Sequence, residues 1–424
     1  MTPDLKTLPW FTSDRPSAWY LIGHTREILR SLPDNSVDLV LSSPPFFALR
    51  SYLPSDHKDK HREIGAEPTP AAFIDTLLDV TEECARVLTP TGSLCFELGD
   101  TYSGFAGSGG DYNKGGLKEV QGKFQQQGMN RNGNPSVHPD KDRWVGSDKR
   151  PGYPLAKSLS LIPESFRWAL AYGRNPFNGR ETEQWRVRNV VRWHRTNPPV
   201  GALGDKFRCA TSEIVVACKS DKRWFDLDAV RTNPVSEGDG SMSGYAARGQ
   251  TPRMVLRTTN PGGAPPLDTW IIPTQPYKGS HYAVWPEELC RIPVLSMCPK
   301  EVCRVCGKPR RRITRTVNSV GRALGRRAWM DGTNGIGAGH VGEFTETTSS
   351  APSSIRETLG WTDCGHNDYR PGVVLDPFGG TGTTAREALA RGRSGVLIDI
   401  DKRNFDLARQ RVGFWLQEFD VAAE

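Results

Sequence analysis

The stretch Val373-Val374-Leu375-Asp376-Pro377-Phe378-Gly379-Gly380-Thr381-Gly382-Thr383-Thr384 decides the fold. Its aliphatic start reads as a buried strand. The glycines predict a tight turn, because glycine tolerates positive φ and lets backbone approach a ligand closely. Thr384 to Arg391 then predicts a helix stopped by Gly392. The first turn of that helix presents free N–H groups. Gly395 to Ile400 predicts the next strand, and it carries Asp399. An acid at the end of the second strand commonly takes ribose hydroxyls in such units. Strand, glycine turn, helix, strand and acid point to a nucleotide-type cofactor more than to a ligand-free turn.

A second string lies more than 300 residues earlier. The apolar run Val37-Asp38-Leu39-Val40-Leu41 leads into Ser43-Pro44-Pro45-Phe46. The prolines remove two backbone donors and fix φ at both positions. The Ser43 hydroxyl and the nearby carbonyls are left as acceptors. An exocyclic amine needs acceptors for its hydrogens while its nitrogen attacks, and Phe46 suits the face of an extruded base. Taken alone, this string also reads as a proline-stiffened loop. In an open α/β sheet, however, ligands bind beyond the carboxyl ends of the strands. Both loops follow strands and are expected at that edge. An amine clamp beside a cofactor turn suggests a methyl donor and a nucleobase acceptor.

The remaining chain fits an α/β protein with a mostly parallel sheet. Trp19 to Ile22 reads as a strand, and Ile28, Leu29 and Leu32 have helical spacing. Phe73, Leu77, Val80, Cys84 and Val87 mark a helix from Pro70 to Leu88. The turn Thr89-Pro90-Thr91-Gly92 leads to a strand over Ser93 to Leu98. Leu161 to Tyr172, Val187 to Trp193 and Glu213 to Cys218 are ordered segments, the last a buried strand. An amphipathic helix is expected from Arg403 to Gln417. Three polar stretches, 103–152, 232–264 and 316–360, interrupt the pattern and read as long loops.

Composition bounds the class. Only 37% of the 424 residues are hydrophobic, in keeping with large polar loops. No apolar run approaches the ~18 residues of a membrane span, and the start lacks the pattern of a signal peptide. A cytoplasmic protein is expected. Nine cysteines, an odd number, favour reduced thiols or metal ligands over a disulfide framework. A net charge of +7 suits a polyanionic partner without requiring one.

The pair Cys303-x-x-Cys306, followed by Gly307, has the spacing of a zinc knuckle. Cys364-Gly365-His366 supplies a second pair, and Cys298 is the alternative fourth ligand. Arg310, Arg311, Arg312 and Arg315 lie next to the knuckle as a phosphate-contacting or merely solvated basic face.

These strings resemble the beta-class amino-DNA methyltransferases of bacteria and phage. In that family a Ser-Pro-Pro-aromatic motif precedes an Asp-Pro-Phe-x-Gly-x-Gly-Thr motif, as here. The resemblance extends through Leu32-Pro33-Asp34, Ile64 to Thr69, Leu98 to Tyr102, Lys157-Ser158, Trp193 to Pro198, Thr211 to Glu213 and Lys219-Ser220. It ends with His281-Tyr282-Ala283-Val284-Trp285-Pro286. Gly23-His24 departs from the Gly-Asp that relatives carry.

The resemblance implies a Rossmann-like, S-adenosylmethionine-dependent fold with circularly permuted motifs. It implies that Ser43, Pro44, Pro45 and Phe46 hold the target base. Asp376, Pro377, Phe378, Gly380, Gly382 and Thr383 would hold the cofactor, with Asp399 on the ribose. His281, Trp285 and Pro286 would close its pocket. Serine at position 43, where adenine enzymes carry Asp or Asn, implies N4 of cytosine in double-stranded DNA. N6 of adenine is the rival acceptor, and an inactive DNA-binding protein the rival of another class. A third option, an RNA or protein amide methyltransferase, is disfavoured because the amide enzymes carry Asn at position 43. A homodimer and a cognate restriction endonuclease are left open.

The expected organisation is a catalytic part over 1–231 and a recognition segment over 232–268. A cofactor-binding part over 269–424 follows, with a zinc-like insertion at 298–366.

Overall fold

The computed structural model describes residues 4, 7–49, 52–53, 57–103, 151–198, 206–232, 264–275, 284–318, 354–413 and 415–419. His281, most of the three polar stretches and nearly all of the segment 232–268, expected to read the DNA, lie outside the described residues.

The chain divides into two compact units. The first takes Met1–Asp226, Leu267–Arg310 and Asp363–Glu424, and the second takes Leu227–Pro266 and Arg311–Thr362. The zinc-type residues fall in the first unit, apart from the polar segment they flank in sequence.

Strands β1 (Ala18–Ile22), β2 (Val37–Ser42) and β3 (Leu88–Leu98) are followed by β4 (Arg186–His194), β5 (Thr211–Cys218) and β6 (Thr269–Ile271). Then come β7 (Glu301–Cys303), β8 (Arg312–Asn318), β9 (Ser354–Trp361) and β10 (Tyr369–Pro371). The last are β11 (Val373–Asp376), β12 (Ser394–Asp399) and β13 (Leu416–Glu418). A nine-stranded sheet has the order β13-β1-β12-β11-β2-β3-β5-β4-β6. Its neighbours pair in parallel except at β3–β5 and β5–β4, where β5 runs against the rest. From β11 the chain winds outward to β12, and from β2 it winds the other way to β3. The switch in strand order therefore lies between the two strands whose loops carry the glycine turn and the Ser-Pro-Pro-Phe string. Because the glycine turn comes last in sequence yet sits centrally, the order is the circularly permuted one.

Helices cover both faces. Helix α1 (Pro9–Thr12), α2 (Thr25–Ser31), α3 (Pro70–Val87) and α4 (Ile162–Tyr172) share one core with Val40, Phe96, Leu375 and Ile398. Helix α5 (Glu287–Met297) packs with Leu39, Cys95 and Val374 on the opposite side. Helix α6 (Thr383–Ala390) and α7 (Lys402–Val412) pack with Tyr20 and Leu397. The alternation of Val374 and Leu375 between the two cores is the period of two of a strand buried on both faces. Each such side chain stabilises by about 1.5–3 kcal/mol.

Several elements end where local chemistry requires. Thr69 caps α3 by accepting from Ala72 N at 3.1 Å. Lys219 donates from Nζ to the carbonyls of Ala85 at 2.6 Å and Leu88 at 2.5 Å, satisfying the end of the same helix. Asp100 accepts from Leu161 N at 3.0 Å and Ile162 N at 3.2 Å at the start of α4. The expected helix from Arg403 to Gln417 is shorter. It stops at Val412, because Gly413 takes φ +88°, and the residues beyond it add β13 to the sheet edge. The expected turn at 89–92 is absorbed into β3 as a register shift against β2.

One buried ion pair joins the central strands to the chain before them. Arg370 donates to Asp38 at 2.6 and 3.3 Å, and Asp38 also accepts from Val373 N at 2.9 Å. Both side chains are almost fully buried. The second unit, described by itself, contains the antiparallel pair β8–β9. Among the described residues, no helix is long and apolar enough to cross a membrane.

Candidate active site

The glycine turn is held open by bonds to its backbone. Tyr20 donates its hydroxyl to the Gly380 carbonyl at 3.0 Å, and Thr25 donates to the Pro377 carbonyl at 2.6 Å. Gly380 and Gly382 take φ of +48° and +79°. A Cβ on Gly382 would also lie 2.9 Å from Val412, so this position needs glycine for conformation and for the approach of α7. Asp376 knits the turn to its neighbours. It accepts from Ser42 Oγ at 2.5 Å, Thr384 Oγ at 2.6 Å and Phe378 N at 3.0 Å. Burial pushes its carboxyl up from the usual range, and the three donors oppose that shift.

Asp399 stands at the end of β12. It accepts from Gly380 N at 2.9 Å, Asp401 N at 2.8 Å and Asn404 Nδ2 at 3.2 Å. Burial dominates these donors and pushes its carboxyl up to about 6. Two carboxylate oxygens offer about four acceptor sites, so capacity remains for a ligand hydroxyl.

Ser43 donates its hydroxyl to Glu97 Oε2 at 2.6 Å. Glu97 sits on β3 and is 2% exposed. Its carboxylate therefore fixes the Ser43 proton and leaves the oxygen lone pairs for another donor. The ring of Phe46 lies over Gly99: a Cβ there would meet Phe46 Cε2 at 2.4 Å. Glycine at 99 is what lets the ring sit on the end of β3.

Ser43, Asp376, Gly380 and Asp399 share one cleft. It is lined by Ser43, Pro45, Trp285, Asp376, Phe378, Gly380, Thr383 and Asp399, and by residues of the β1 loop. It encloses about 100 Å³, or about 870 Å³ with its open mouth. Pro44, Phe46, Pro377, Gly382 and Pro286 are not in the lining. Pro286 instead stands at the N-cap of α5. Cys303, Cys306, Cys364 and His366 form a separate cluster.

The departure at Gly23-His24 acquires a place. His24 is buried, lines the cleft, and its Nε2 lies 3.2 Å from the Arg62 carbonyl. A carbonyl only accepts, so Nε2 carries the proton. Burial holds the ring pKa below its usual value, which favours the neutral form. Nδ1 is then a bare acceptor, buried and without a partner among the described residues. Sequence reading marked position 24 only as a departure from the family pattern and missed Tyr20 and Glu97 as candidate site residues. Glu97 left a trace there, as a charge inside the apolar run Leu94 to Leu98.

The profile of the DNA methylase family, grouping N6 and N4 methyltransferases, matches residues 37–302 and 368–410, well over half of the chain. The chain belongs to this family. Similar proteins include the Type II methyltransferase M.SfiI of Streptomyces fimbriatus, 28% identical over 210 residues, or 50% of this chain and 38% of that protein. The chain thus spans well under half of that relative. M.Cfr9I of Citrobacter freundii is 26% identical over 274 residues, 65% of this chain and 70% of that one. M.SmaI of Serratia marcescens is 24% identical over 287 residues, 67% and 76%. Among solved structures, the cytosine-N4-specific PvuII DNA methyltransferase aligns with TM-score 0.44 and 12% identity, covering 96% of this chain and 98% of that one. A putative DNA modification methylase from Thermus thermophilus, complexed with S-adenosyl-L-methionine, aligns with TM-score 0.40 and 18% identity, covering 95% and 98%.

Proposed function

We propose that this DNA methylase transfers a methyl group from S-adenosylmethionine to the N4 amine of cytosine in double-stranded DNA. The observation that carries the reading is the single cleft in which Ser43 and Asp399 face the same space. The residues present suit the methyl donor. The bare Nδ1 of His24 is an acceptor with no partner among the described residues, and Asp399 has acceptor capacity left. Trp285 and Phe378 supply apolar walls. Bound there, the donor supplies an electrophilic methyl group on a sulfonium centre.

The chain's own residues do the rest by alignment. Ser43 accepts a hydrogen from the target amine while its own proton stays on the bond to Glu97. The amine nitrogen keeps its lone pair free for in-line attack. When the nitrogen gains carbon it must lose a proton, and the Ser43–Glu97 bond gives that proton a route to a carboxylate. Positioning of this kind lowers a barrier by roughly 7–11 kcal/mol. The target base must leave the duplex, at a cost of a few kcal/mol, and Phe46 next to the cleft is the side chain suited to stack on it.

The cytosine choice rests on Ser43, a neutral acceptor weaker than a carboxylate and suited to the smaller pyrimidine. N6-adenine methylation is the rival outcome. Incubation of the enzyme with DNA and isotopically labelled S-adenosylmethionine tests the transfer itself. No label in DNA from a folded, cofactor-binding protein would favour a DNA-binding protein without turnover.

A further inference from the structure

Three cysteines and a histidine that take no part in the cleft lie together at one end of the β7–β10 pair, with Cys303 on β7 and the others in the flanking loops. The antiparallel register sets Tyr369 opposite Cys303 and Arg370 opposite Val302. This pairing brings Cys303 and Cys306 from one side of a 57-residue interval to Cys364 and His366 from the other. The four ligand atoms all lie within 4.8 Å of one another.

Cys303 Sγ and His366 Nδ1 are 3.5 Å apart. A zinc ion at about 2.3 Å from sulfur and about 2.0–2.1 Å from nitrogen, with tetrahedral angles, spaces those two atoms by about 3.5 Å. The match is to the edge of a coordination tetrahedron. A disulfide needs sulfurs about 2.05 Å apart, and all nine cysteines are free thiols.

The backbone is shaped for the same purpose. Gly307 follows Cys306 at φ +66° and donates its N–H to the Cys303 carbonyl at 2.9 Å. Cys303 N in turn donates to the Lys308 carbonyl at 3.0 Å. The result is a tight knuckle that turns both thiols to one side. Gly365, at φ +82°, makes the corresponding turn between Cys364 and His366.

We propose that Cys303, Cys306, Cys364 and His366 bind one structural zinc ion. Three soft thiolates and one imidazole select zinc over magnesium or calcium. Four protein ligands close the coordination sphere, so the ion has no open position for substrate or water. Its role is to clasp the two ends of residues 307–363, the interval that holds most of the second unit. Arg304, inside the knuckle, carries the clasp to the N-terminal segment. It donates to the carbonyls of Phe11 at 2.9 Å and Ser13 at 2.8 Å, and pairs with Asp14 at 2.7 Å and Asp368 at 2.5 Å. Trp10, fully buried in the main core, lies on that segment.

The test uses the full chain purified without added metal or chelator. Elemental analysis should find one equivalent of zinc per chain. Cys303→Ser and Cys364→Ser should each lower it at least tenfold, while Cys209→Ser, at an exposed cysteine elsewhere, should leave it unchanged. Because a ligand variant can misfold, wild-type protein stripped by chelator should also be titrated with cobalt(II). Visible d–d bands and thiolate charge-transfer absorption saturating at one equivalent would support three-sulfur tetrahedral coordination. Folded wild-type protein that carries no zinc and takes up no cobalt would overturn the proposal. So would a disulfide among Cys303, Cys306 and Cys364 in freshly purified protein, or full zinc content in both ligand variants.

Discussion

Acidification should weaken cofactor binding through Asp399. Its carboxyl moves from an ordinary 3.8 to about 6, chiefly through burial. A raised acid pKa means the folded, ligand-free protein holds this proton to higher pH than the unfolded chain does. At neutral pH the charged group therefore opposes folding, by about 3 kcal/mol from a shift of about two units. That cost is relieved as pH falls through about 6. In the proposed role of Asp399, ligand hydroxyls would donate to the carboxylate and favour its charged form, so binding would work in the opposite direction. Near pH 5 only about a tenth of the sites are charged, so affinity should fall about tenfold from its value near pH 7. Calorimetric titration with S-adenosylmethionine across that range reads the change. Asp399→Asn should be about tenfold to a hundredfold weaker near pH 7, since a hydrogen bond to a charged group is worth about 1.5–3 kcal/mol. It should also lose the pH slope. A flat wild-type profile, or the same slope in Asp399→Asn, would refute the assignment of Asp399 to the ribose.

Two further outcomes follow from the site and the core. Ser43→Ala should abolish most methyl transfer while cofactor affinity stays nearly intact, because Ser43 Oγ bonds Glu97 and not the glycine turn; lost affinity with retained activity would sink its role. Arg370→Ala should destabilise the fold by about 3–5 kcal/mol, because it leaves Asp38 charged and buried; a denaturation midpoint like that of the wild type would contradict the importance of the pair.

The parts legible in the sequence were those set by local pattern. The strand ending at Asp376 was marked by aliphatic run and glycine turn, and α3 by its spacing. The proximity of Ser43 and Asp399 followed from the rule that ligand loops emerge at strand carboxyl ends. What stayed hidden depended on partners far away in the chain. Asp38 read as one polar residue in an apolar run, and its reason, Arg370, lies 332 residues on. Gly99 read as a strand end, and its reason is the ring of Phe46. The reversed direction of β5 leaves no mark in an apolar strand buried on both faces. Helix α5 was obscured by Pro293 inside it, and β9 by its place in a polar stretch.

The central claim is tested most directly by the product. DNA methylated by the purified enzyme should be digested to nucleosides and weighed by mass spectrometry. The account predicts N4-methylcytosine as the main modified base, and most of it lost when Ser43→Ala replaces the wild type. N6-methyladenine as the main product would contradict the reading of Ser43 as a cytosine clamp.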